Sequence, residues 1–459
     1  MISTTKFKDF RCSKPFLLFT ICTALFSDGF TYGIVSPVLP FLLQDEELLI
    51  DGNVQLTTSL LIAAFSIADF IGAPLCAWYV DRTRSRRPCW YFGIVLITTG
   101  SLLFGLSKNI AMLIMSRILH GLSSSILYTV GLAVLVDTIR KDEVGKWMGT
   151  AMSCNNVGII ISPLLGGIIY EKFGKMAVFA IMLGLGGIDI ALRLVMQEPP
   201  RDLLACSTST DSLESIEQRD NVEGKSMAIV RMVGIPDCSI EAPVTPETIP
   251  ASRLPGIVAL LCQPRLLAAM YGVFVNEAII ASLCSTVPLF VHGTFHWTAL
   301  PAGLIFLCIA IPAFGGPIAG ALSDRFGARW VAVIGFTTTA PLIVLLRLVH
   351  QDNLQHKIIL CVLLTLIGAS VTLFLAPLGA ECSVVAEQTS QKIGCDLYAS
   401  SFSLMNCALA SAGLLGPLAA GGLVDAAGWQ WMTVFLGCFC ATGIVPCTIA
   451  TGKKIVSEK

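Results

Sequence analysis

The most regular feature of the chain is the recurrence of long apolar runs separated by short polar segments. A helix needs about 20 mostly apolar residues to cross a bilayer. Runs of that length lie near 16–43, 56–79, 89–107, 110–136, 146–170, 175–196, 266–290, 302–322, 329–349, 357–378, 398–424 and 430–450. Several runs carry internal Gly and Pro, which bundled membrane helices tolerate. The pattern therefore predicts an all-α membrane protein with twelve transmembrane helices.

One long polar segment, residues 197–255, separates the sixth run from the seventh. It is rich in Ser, Thr, Glu, Asp and Pro, has few aromatic residues and shows no sustained periodicity, which is typical of a disordered linker. The predicted organisation is a six-helix bundle over 1–196, a cytoplasmic polar linker over 197–255 and a second six-helix bundle over 256–459.

Lys and Arg are concentrated in alternate loops of this pattern. They lie at Lys6–Lys14, Arg82–Arg87, Arg140–Lys146, Arg325–Arg329, Lys392 and Lys453–Lys454. The first loop on the other side, 44–54, has acidic residues but no Lys or Arg. Because basic loops stay on the cytoplasmic side, both termini are predicted to be cytoplasmic. The first run is too long for a signal peptide and has no small-residue cleavage site, so we expect it to remain as a span.

Composition narrows the class of protein further. Only 13% of residues are charged, 54% are apolar, and 30 Lys and Arg balance 31 Asp and Glu. The near-zero net charge argues against nucleic-acid binding, and the scarcity of charge argues against a solvated disordered chain. The 17 cysteines are scattered singly without C-x-x-C spacing, and the sequence has no H-E-x-x-H helix, nucleophile elbow or P-loop. We therefore expect neither an enzyme nor a metal or other cofactor.

The two halves of the chain resemble each other. APLCAWYVDRTRSR around Asp81 matches GPIAGALSDRFGAR around Asp324, and SPLLGGIIYEKFG at 162–174 matches GPLAAGGLVDAAG at 416–428. Two similar halves of this kind place a substrate site at their interface, near the middle of the bilayer.

The repeated loop also identifies a family. It resembles the Gly-x-x-x-Asp-Arg-x-Gly-Arg-Arg/Lys signature of the major facilitator superfamily, although Ala77 and Arg84 replace the two glycines in the first half. The resemblance implies two pseudo-symmetric six-helix bundles whose loops brace each other in one conformation. The residues it assigns to gating are Asp81, Arg82, Arg86, Gly320, Asp324, Arg325, Gly327 and Arg329.

Two further motifs lie in the fourth and fifth runs. Arg117, His120 and Gly121 resemble the family's Arg-x-x-Gln-Gly motif, with His in place of Gln. The fifth run resembles the signature of proton-coupled exporters, with Ser162 in place of one glycine. Its residues are Gly149, Gly158, Pro163, Gly166 and Gly167. An alternative interpretation of these glycines is that they only let two membrane helices pack closely.

Within the superfamily the chain is most similar to the vesicular amine transporter-like branch of twelve-span drug:proton antiporters, and to its fungal members. The segments that carry this resemblance are Asp28 with Pro37-x-x-Pro40, Asp142–Gly149 with Tyr170–Lys175, and Asp189 with Arg193. The chain departs from the amine carriers at Cys284, Val371 and Asn406, where they hold acidic residues. A bulkier cargo than an amine, such as a secondary metabolite, toxin or drug, fits this loss of charge better.

Ionisable and amide side chains at mid-depth are the candidate transport residues. An Asp at the centre of a membrane helix costs about 2.5–3.5 kcal/mol, so each requires a reason; an internal ion pair that fixes packing is the alternative for Asp69. The family pattern implies that Arg117 lies beside Asp28, the preferred proton carrier. We expect one polar cavity to include Asp28, Asp69, Arg117, His120, Asn155, Asn156, Asp189, Asn276, Glu277 and Asn406.

These observations predict a secondary transporter that exports a small organic compound by proton antiport. Its expected partners are that compound, protons and the lipid bilayer, without nucleic acid, and the expected form is a monomer in the plasma membrane rather than in a vacuolar or vesicle membrane. A proton-coupled importer and a transport-dead sensor on the same fold are the alternatives.

Overall fold

The structure is a computed structural model that describes residues 13–45, 54–83, 86–139, 143–196, 256–297, 299–393 and 397–452. Nearly all of these residues are helical, and none of them forms a strand. The predicted linker 197–255 and both chain termini lie outside the described residues.

Among the described residues the first half contains five helices and the second half ten, several of them short. In the first half they are α1 Lys14–Asp45, α2 Val54–Thr83, α3 Arg87–Gly105, α4 Ile110–Thr138 and α5 Val144–Val195. In the second half they are α6 Gly256–Leu261, α7 Pro264–Phe295, α8 Ala299–Leu304, α9 Leu307–Ala313, α10 Gly316–Phe326, α11 Ala328–Leu345, α12 Leu354–Ile393, α13 Tyr398–Ala427, α14 Trp429–Thr442 and α15 Ile444–Ala450, with a 3-10 turn at Leu346–Leu348 after α11.

Ten helical segments among the described residues are long and apolar enough to cross a membrane, and α9 with α10, bent by 44°, provides an eleventh. The fifth and sixth predicted spans share the 52-residue helix α5. At 1.5 Å per residue this helix is about 78 Å long, far more than the roughly 30 Å core of a bilayer. Its backbone leaves the helical region at Gly174, where φ is 73°. The break divides α5 into two arms, in agreement with the twelve-helix fold predicted from the sequence.

The internal repeat has a structural counterpart at such breaks. Gly174 and Gly428, which end the matching segments 162–174 and 416–428, both have positive φ, at 73° and 82°. Gly327, which separates α10 from α11, has φ of 89°. Only glycine adopts these angles without strain, so the same residue type turns the chain at equivalent points of both halves.

Close packing within the first half depends on glycines of α1 and α5. A Cβ built at Gly158 would lie 2.5 Å from the carbonyl oxygen of Phe26, and one at Gly166 would lie 2.8 Å from that of Ile34. On the other helix, a Cβ at Gly29 would lie 2.3 Å from the Asn155 carbonyl oxygen. Membrane helices use such small residues because their backbones can then approach closely. The glycines therefore fix the position of α1, and with it Asp28.

The two halves meet on the side of the bundle that carries the loops after Asp81 and after Asp324, called here the basic face. Two contact surfaces cross between the halves there. In the α5/α10 seam, a Cβ at Gly320 would lie 2.1 Å from the carbonyl oxygen of Gly145, and one at Gly149 would lie 2.3 Å from that of Gly316. The backbones of the two helices are thus in direct contact.

The second contact surface, the α2/α13 seam, is made by side chains. Nearest the basic face, the Ser400 hydroxyl donates to the Asp81 carboxylate. Deeper in the bundle, the Cys407 thiol donates to the carbonyl of Phe70 at 3.4 Å. Deeper still, Asn406 of α13 donates to Asp69 of α2. Because Asp69 and Asp81 are twelve residues apart on α2, the seam extends about 18 Å from the basic face towards the middle of the molecule.

Candidate functional site

A cavity lies between the two halves, at the inner end of the α2/α13 seam. The space between its walls, counted together with the part that opens to solvent, is about 620 Å³. Both halves contribute to its wall. The lining residues are Asp28, Gly29, Tyr32, Phe65, Ser66, Asp69, Ser124, Tyr128, Met152, Asn155, Asn156 and Ile159 from the first half, and Glu277, Leu375, Asn406, Leu409, Ala410 and Gly413 from the second.

Three carboxylates face this cavity, and each is buried. Asp28 is 6% exposed, Asp69 5% and Glu277 8%. Asp28 accepts a hydrogen bond of 2.8 Å from the Ser124 hydroxyl. Glu277 has no hydrogen-bonded partner among the described residues. The described lining includes no Lys, Arg or His, so every ionisable acid or base on the wall, apart from two tyrosines, is a carboxyl group.

Asp69 joins the cavity to the contact between the halves. Its carboxylate accepts a hydrogen bond of 2.6 Å from the side-chain amide of Asn406 on α13. The sequence left open whether Asp69 is part of an internal ion pair. The structure gives it a neutral amide partner from the other half instead.

Asn155 and Asn156 both line the cavity, as expected. The side-chain amide of Asn155 donates to the carbonyl of Leu25 at 3.0 Å, which ties α5 to α1 one turn before Asp28. Six of the ten predicted mid-depth residues therefore line one cavity.

Arg117 does not line the cavity and does not pair with Asp28. It is 2% exposed, and its guanidinium lies over the ring of Phe65, 4.8 Å from the ring centroid. Nε and Nη1 of Arg117 have no hydrogen-bond partner among the described residues. Asp28 contacts α4 at Ser124 instead, seven residues and two helical turns beyond Arg117.

The remaining three predicted residues also lie outside the cavity. His120 packs against α3, where its Nε2 is 3.1 Å from the Ser101 hydroxyl. Asp189 is 4% exposed and lies beside Ser27 of α1. Asn276 is fully buried, and neither its amide nitrogen nor its oxygen has a partner in the described part of the chain. The repeat pairs Asn276 with Asp28 in sequence, but the neighbouring Glu277 is the side chain that reaches the cavity.

The sequence did not point to the hydroxyl and aromatic side chains of the wall. Tyr32, Phe65, Ser124 and Tyr128 are ordinary residues of apolar runs, whereas a buried charge is conspicuous. One signal was present for Ser124: it follows Arg117 by seven residues, so the two share a face of α4.

The loop residues make contacts at the basic face. Asp324 accepts hydrogen bonds of 2.9 Å from the backbone amides of Gly145 and Lys146, the first turn of α5. Arg86 forms an ion pair with Asp137 at the end of α4. In the second half Arg265, at the start of α7, forms an ion pair with Glu381 of α12, a contact that the sequence analysis did not single out.

Three basic residues of these loops contact neighbouring aromatic rings. The guanidinium carbon lies 5.5 Å from the Trp78 ring for Arg82, 5.4 Å from the Phe326 ring for Arg325 and 5.6 Å from the Trp330 ring for Arg329. Such contacts hold the basic side chains against apolar surface at the membrane boundary.

The four glycines of the α5 motif have three kinds of surroundings. Gly149 contacts Gly316 across the two halves, Gly158 and Gly166 contact α1, and no atom lies within 4 Å of a Cβ built at Gly167. Pro163 lies inside α5, where the helix continues until Gly174. The close-packing interpretation therefore accounts for three of the four glycines.

Within the described residues no group of three or more His, Cys, Asp and Glu side chains is arranged to hold a metal ion.

Comparisons with known proteins agree with this architecture. The family model described as the Major Facilitator Superfamily matches residues 21–316 and 270–454. An uncharacterised MFS-type transporter of Schizosaccharomyces pombe is 30% identical over 422 residues, which cover 90% of this chain and 91% of that protein. The chromaffin granule amine transporter of Homo sapiens is 24% identical over 387 residues, which cover 82% of this chain and 62% of that protein.

A solved structure matches over nearly the whole chain. The crystal structure of the human organic anion transporter MFSD10 (TETRAN) aligns with a TM-score of 0.65 and 15% identity, covering 94% of this chain and 99% of that one. At this level of identity the match bears on the fold alone.

Proposed function

The chain belongs to the major facilitator superfamily and is a multi-pass membrane transporter; from this and from the cavity we propose that it exports a small organic compound in exchange for protons. The observation that carries the proposal is the presence of three buried carboxylates on the cavity wall, whose described lining includes no Lys, Arg or His. A carboxylate buried without a cation is costly. Protons or a hydrogen-bond-donating or cationic substrate must therefore occupy the site.

Competition for the same groups favours antiport. If a substrate and a proton both neutralise one carboxylate, the protein binds one or the other but not both at that group. When the transporter returns without substrate, the protonated carboxyl group carries its proton in the direction opposite to the substrate. A symporter would need separate sites that fill together.

Asp28 is the proposed proton carrier. Its partner, the Ser124 hydroxyl, lies 2.8 Å away and can donate to a carboxylate or accept from a carboxylic acid. Asp69 is held by the amide nitrogen of Asn406, which only donates. The Ser124 hydroxyl can therefore accept the proton of a neutral Asp28, whereas the Asn406 nitrogen can donate to either form of Asp69 but cannot accept its proton.

The cargo is proposed to be a compound with an apolar body and polar groups, such as a secondary metabolite, toxin or drug. Phe65, Leu375 and Leu409 give the wall apolar surface beside the polar groups, a combination usual in sites for organic molecules. The human relative named an amine transporter has 24% identity. Val371 and Asn406 stand where, by the resemblance, the amine carriers hold acidic residues.

The basic-face loops are proposed to gate the cavity. Asp81 and Asp324 each bridge to the other half, at Ser400 and at the start of α5, and neither lines the cavity. We assign them to the balance between open and closed states rather than to substrate contact.

We also propose that a monomer in the plasma membrane, with cytoplasmic termini, is the working form. Fluorescence microscopy of a tagged protein tests the membrane, and single-particle photobleaching tests the monomer.

The test of function uses proteoliposomes loaded with the pH indicator pyranine. A panel of organic compounds, including rhodamine 6G, is added under an imposed pH gradient, and proton movement is recorded together with uptake. We expect at least one compound to move against protons. Movement in the same direction as protons would identify an importer, and binding without flux would identify a sensor.

A pair of variants tests the proton carrier. Asp28→Asn should abolish gradient-driven accumulation but preserve exchange of labelled for unlabelled compound. Asp189→Asn removes an equally buried carboxyl group outside the cavity and should keep gradient-driven accumulation. If Asp28→Asn accumulates normally, the same assay on Asp69→Asn and Glu277→Gln will show which group carries the proton.

A further inference from the structure

Phe65 occupies an unusual place between a charge and the cavity. Its ring lines the cavity wall, and the Arg117 guanidinium, which does not reach that wall, lies 4.8 Å from the centroid of the same ring. The ring of Tyr32, another lining residue, packs on Phe65 with centroids 4.8 Å apart. Arg117 is therefore behind an aromatic layer, with the three carboxylates in front of it.

Arg117 is held there with few favourable contacts. It is 2% exposed, and Nε and Nη1 have no partner among the described residues. A cation over an aromatic ring gains only modest stabilisation, whereas a buried charge without its partner is strongly destabilising. Among the described residues the guanidinium thus has no carboxylate partner in this conformation, while three carboxylates line the cavity that the Phe65 ring also lines.

The path between them is short along both helices. Ser124, which binds Asp28, is two turns from Arg117 on α4, about 10 Å along the helix axis. Tyr32, close enough to Arg117 to interact with it electrostatically, is one turn from Asp28 on α1. The Phe65 ring contacts Arg117 and lines the same cavity as Asp28, and the Tyr32 ring packs against it.

We propose that Phe65 is a positioning residue of the transport cycle: its ring keeps Arg117 out of the cavity in this conformation, and its displacement lets the guanidinium approach Asp28. The proposal rests on the function proposed above, because Asp28 is there the proton carrier. A guanidinium beside a carboxylate favours the charged form. Movement of the ring thereby determines when Asp28 releases its proton.

The first test needs no substrate. Full-length protein in proteoliposomes is treated with phenylglyoxal, which modifies arginine, and the adduct at Arg117 is measured by mass spectrometry. Phe65→Leu removes the ring, and we expect Arg117 to be modified at least five times faster. Phe65→Tyr keeps the ring and should leave the rate within twofold. Equal rates in the Leu variant and the unsubstituted protein would contradict the shielding of Arg117.

The second test asks whether Phe65 acts through Arg117. Gradient-driven uptake of rhodamine 6G, or of another compound found to be transported, is compared in Phe65→Leu, Arg117→Gln and the double variant. We expect Phe65→Leu alone to lower uptake about tenfold, with no further loss when Arg117→Gln is already present. Independent, additive losses would mean that Phe65 only shapes the wall.

The two tests separate the two proposals. If no compound moves against protons but the labelling result is as expected, the proposed function fails and the shielding of Arg117 stands. If antiport is found and labelling does not change, the function stands and the role of Phe65 is wrong.

Discussion

The two seams that join the halves differ in what they are made of. In the α2/α13 seam the contacts are made by side chains, Asp69 with Asn406 and Asp81 with Ser400. In the α5/α10 seam the helices touch through glycine backbone, and Asp324 binds backbone amides. One seam depends on the chemical state of its groups, and the other depends mainly on shape.

The difference indicates a division of labour. Asp69 belongs both to the α2/α13 seam and to the cavity wall. A change of charge in the cavity therefore alters the electrostatic environment of that seam. The glycines of the α5/α10 seam carry no titratable group. We infer that the α2/α13 seam responds to whether the cavity is occupied. The α5/α10 seam allows the two halves to approach closely. The following predictions test this comparison.

The largest loss of transport is expected when a bulky side chain is introduced into the α5/α10 seam. Gly320→Leu places a side chain where a Cβ alone would be 2.1 Å from the Gly145 carbonyl oxygen. Overpacking costs about 1–3 kcal/mol in a well-packed interior, so transport should fall by about tenfold or more. The halves should stay apart on the basic face, which increases maleimide labelling of a reporter introduced as Ala410→Cys on the cavity wall.

The matched control for this variant is Gly167→Leu. It makes the same exchange on α5, where nothing lies within 4 Å of the added Cβ. Transport and reporter labelling should remain near the values of the unsubstituted protein. Equal damage from both substitutions would mean that contact between the seam glycines is not what matters.

The next effect is expected from removing the charge of the α2/α13 seam. In Asp69→Asn an amide oxygen can still accept from Asn406, but one of the three cavity carboxylates is lost. A hydrogen bond to a charged group contributes about 1.5–3 kcal/mol, so gradient-driven uptake should fall about tenfold. Reporter labelling at Ala410→Cys should not change. A large change in labelling would assign Asp69 to closure and remove the distinction between the seams.

A smaller effect is expected at Asp324. Asp324→Asn keeps one acceptor for the amides of Gly145 and Lys146 but removes the negative charge at the start of α5, which is worth about 0.3–1 kcal/mol. The open form should increase about two- to fivefold, measured by reporter labelling, while the affinity for a transported compound in equilibrium binding stays the same. Unchanged labelling with a lost affinity would place Asp324 in the binding site.

The smallest effect is expected at Cys407. Its thiol donates weakly to the Phe70 carbonyl at 3.4 Å, and Cys407→Ala removes only that bond. Uptake should stay within about twofold of the unsubstituted protein, since thiols are weak donors. A tenfold loss would show that the middle of the seam depends on this sulfur.

The sequence was sufficient for the fold because its signals are repetitive. Each span is a run of about twenty apolar residues, and the matching segments around Asp81 and Asp324 reveal the two halves. The pair of spans within α5 follows the same rule, because polar residues between 170 and 175 separate the two apolar runs. The structure adds the local cause of the break, the backbone angles of Gly174.

The site could be predicted only in part, for a related reason. Depth along a helix can be counted from the sequence, so Asp28, Asp69 and Glu277 were found. The direction of a side chain around its helix depends on packing against other helices, and for this reason Arg117 and Asp189 were expected in the cavity but lie elsewhere. The role of Phe65 depends on contacts with Arg117 and Tyr32 across three helices, which no local pattern encodes.

The bond between Asp324 and the start of α5 also has a consequence for how the gene tolerates mutation. Backbone N–H groups are supplied by every amino acid except proline. Exchanges at Lys146 therefore keep one donor that Asp324 uses, whereas a Cβ at Gly145 would lie 2.3 Å from the Asp324 carboxylate. An ion pair at the same place would have offered two mutable side chains. In a saturation library selected for transport, position 146 should accept most amino acids and reject proline, whereas position 324 should tolerate few replacements.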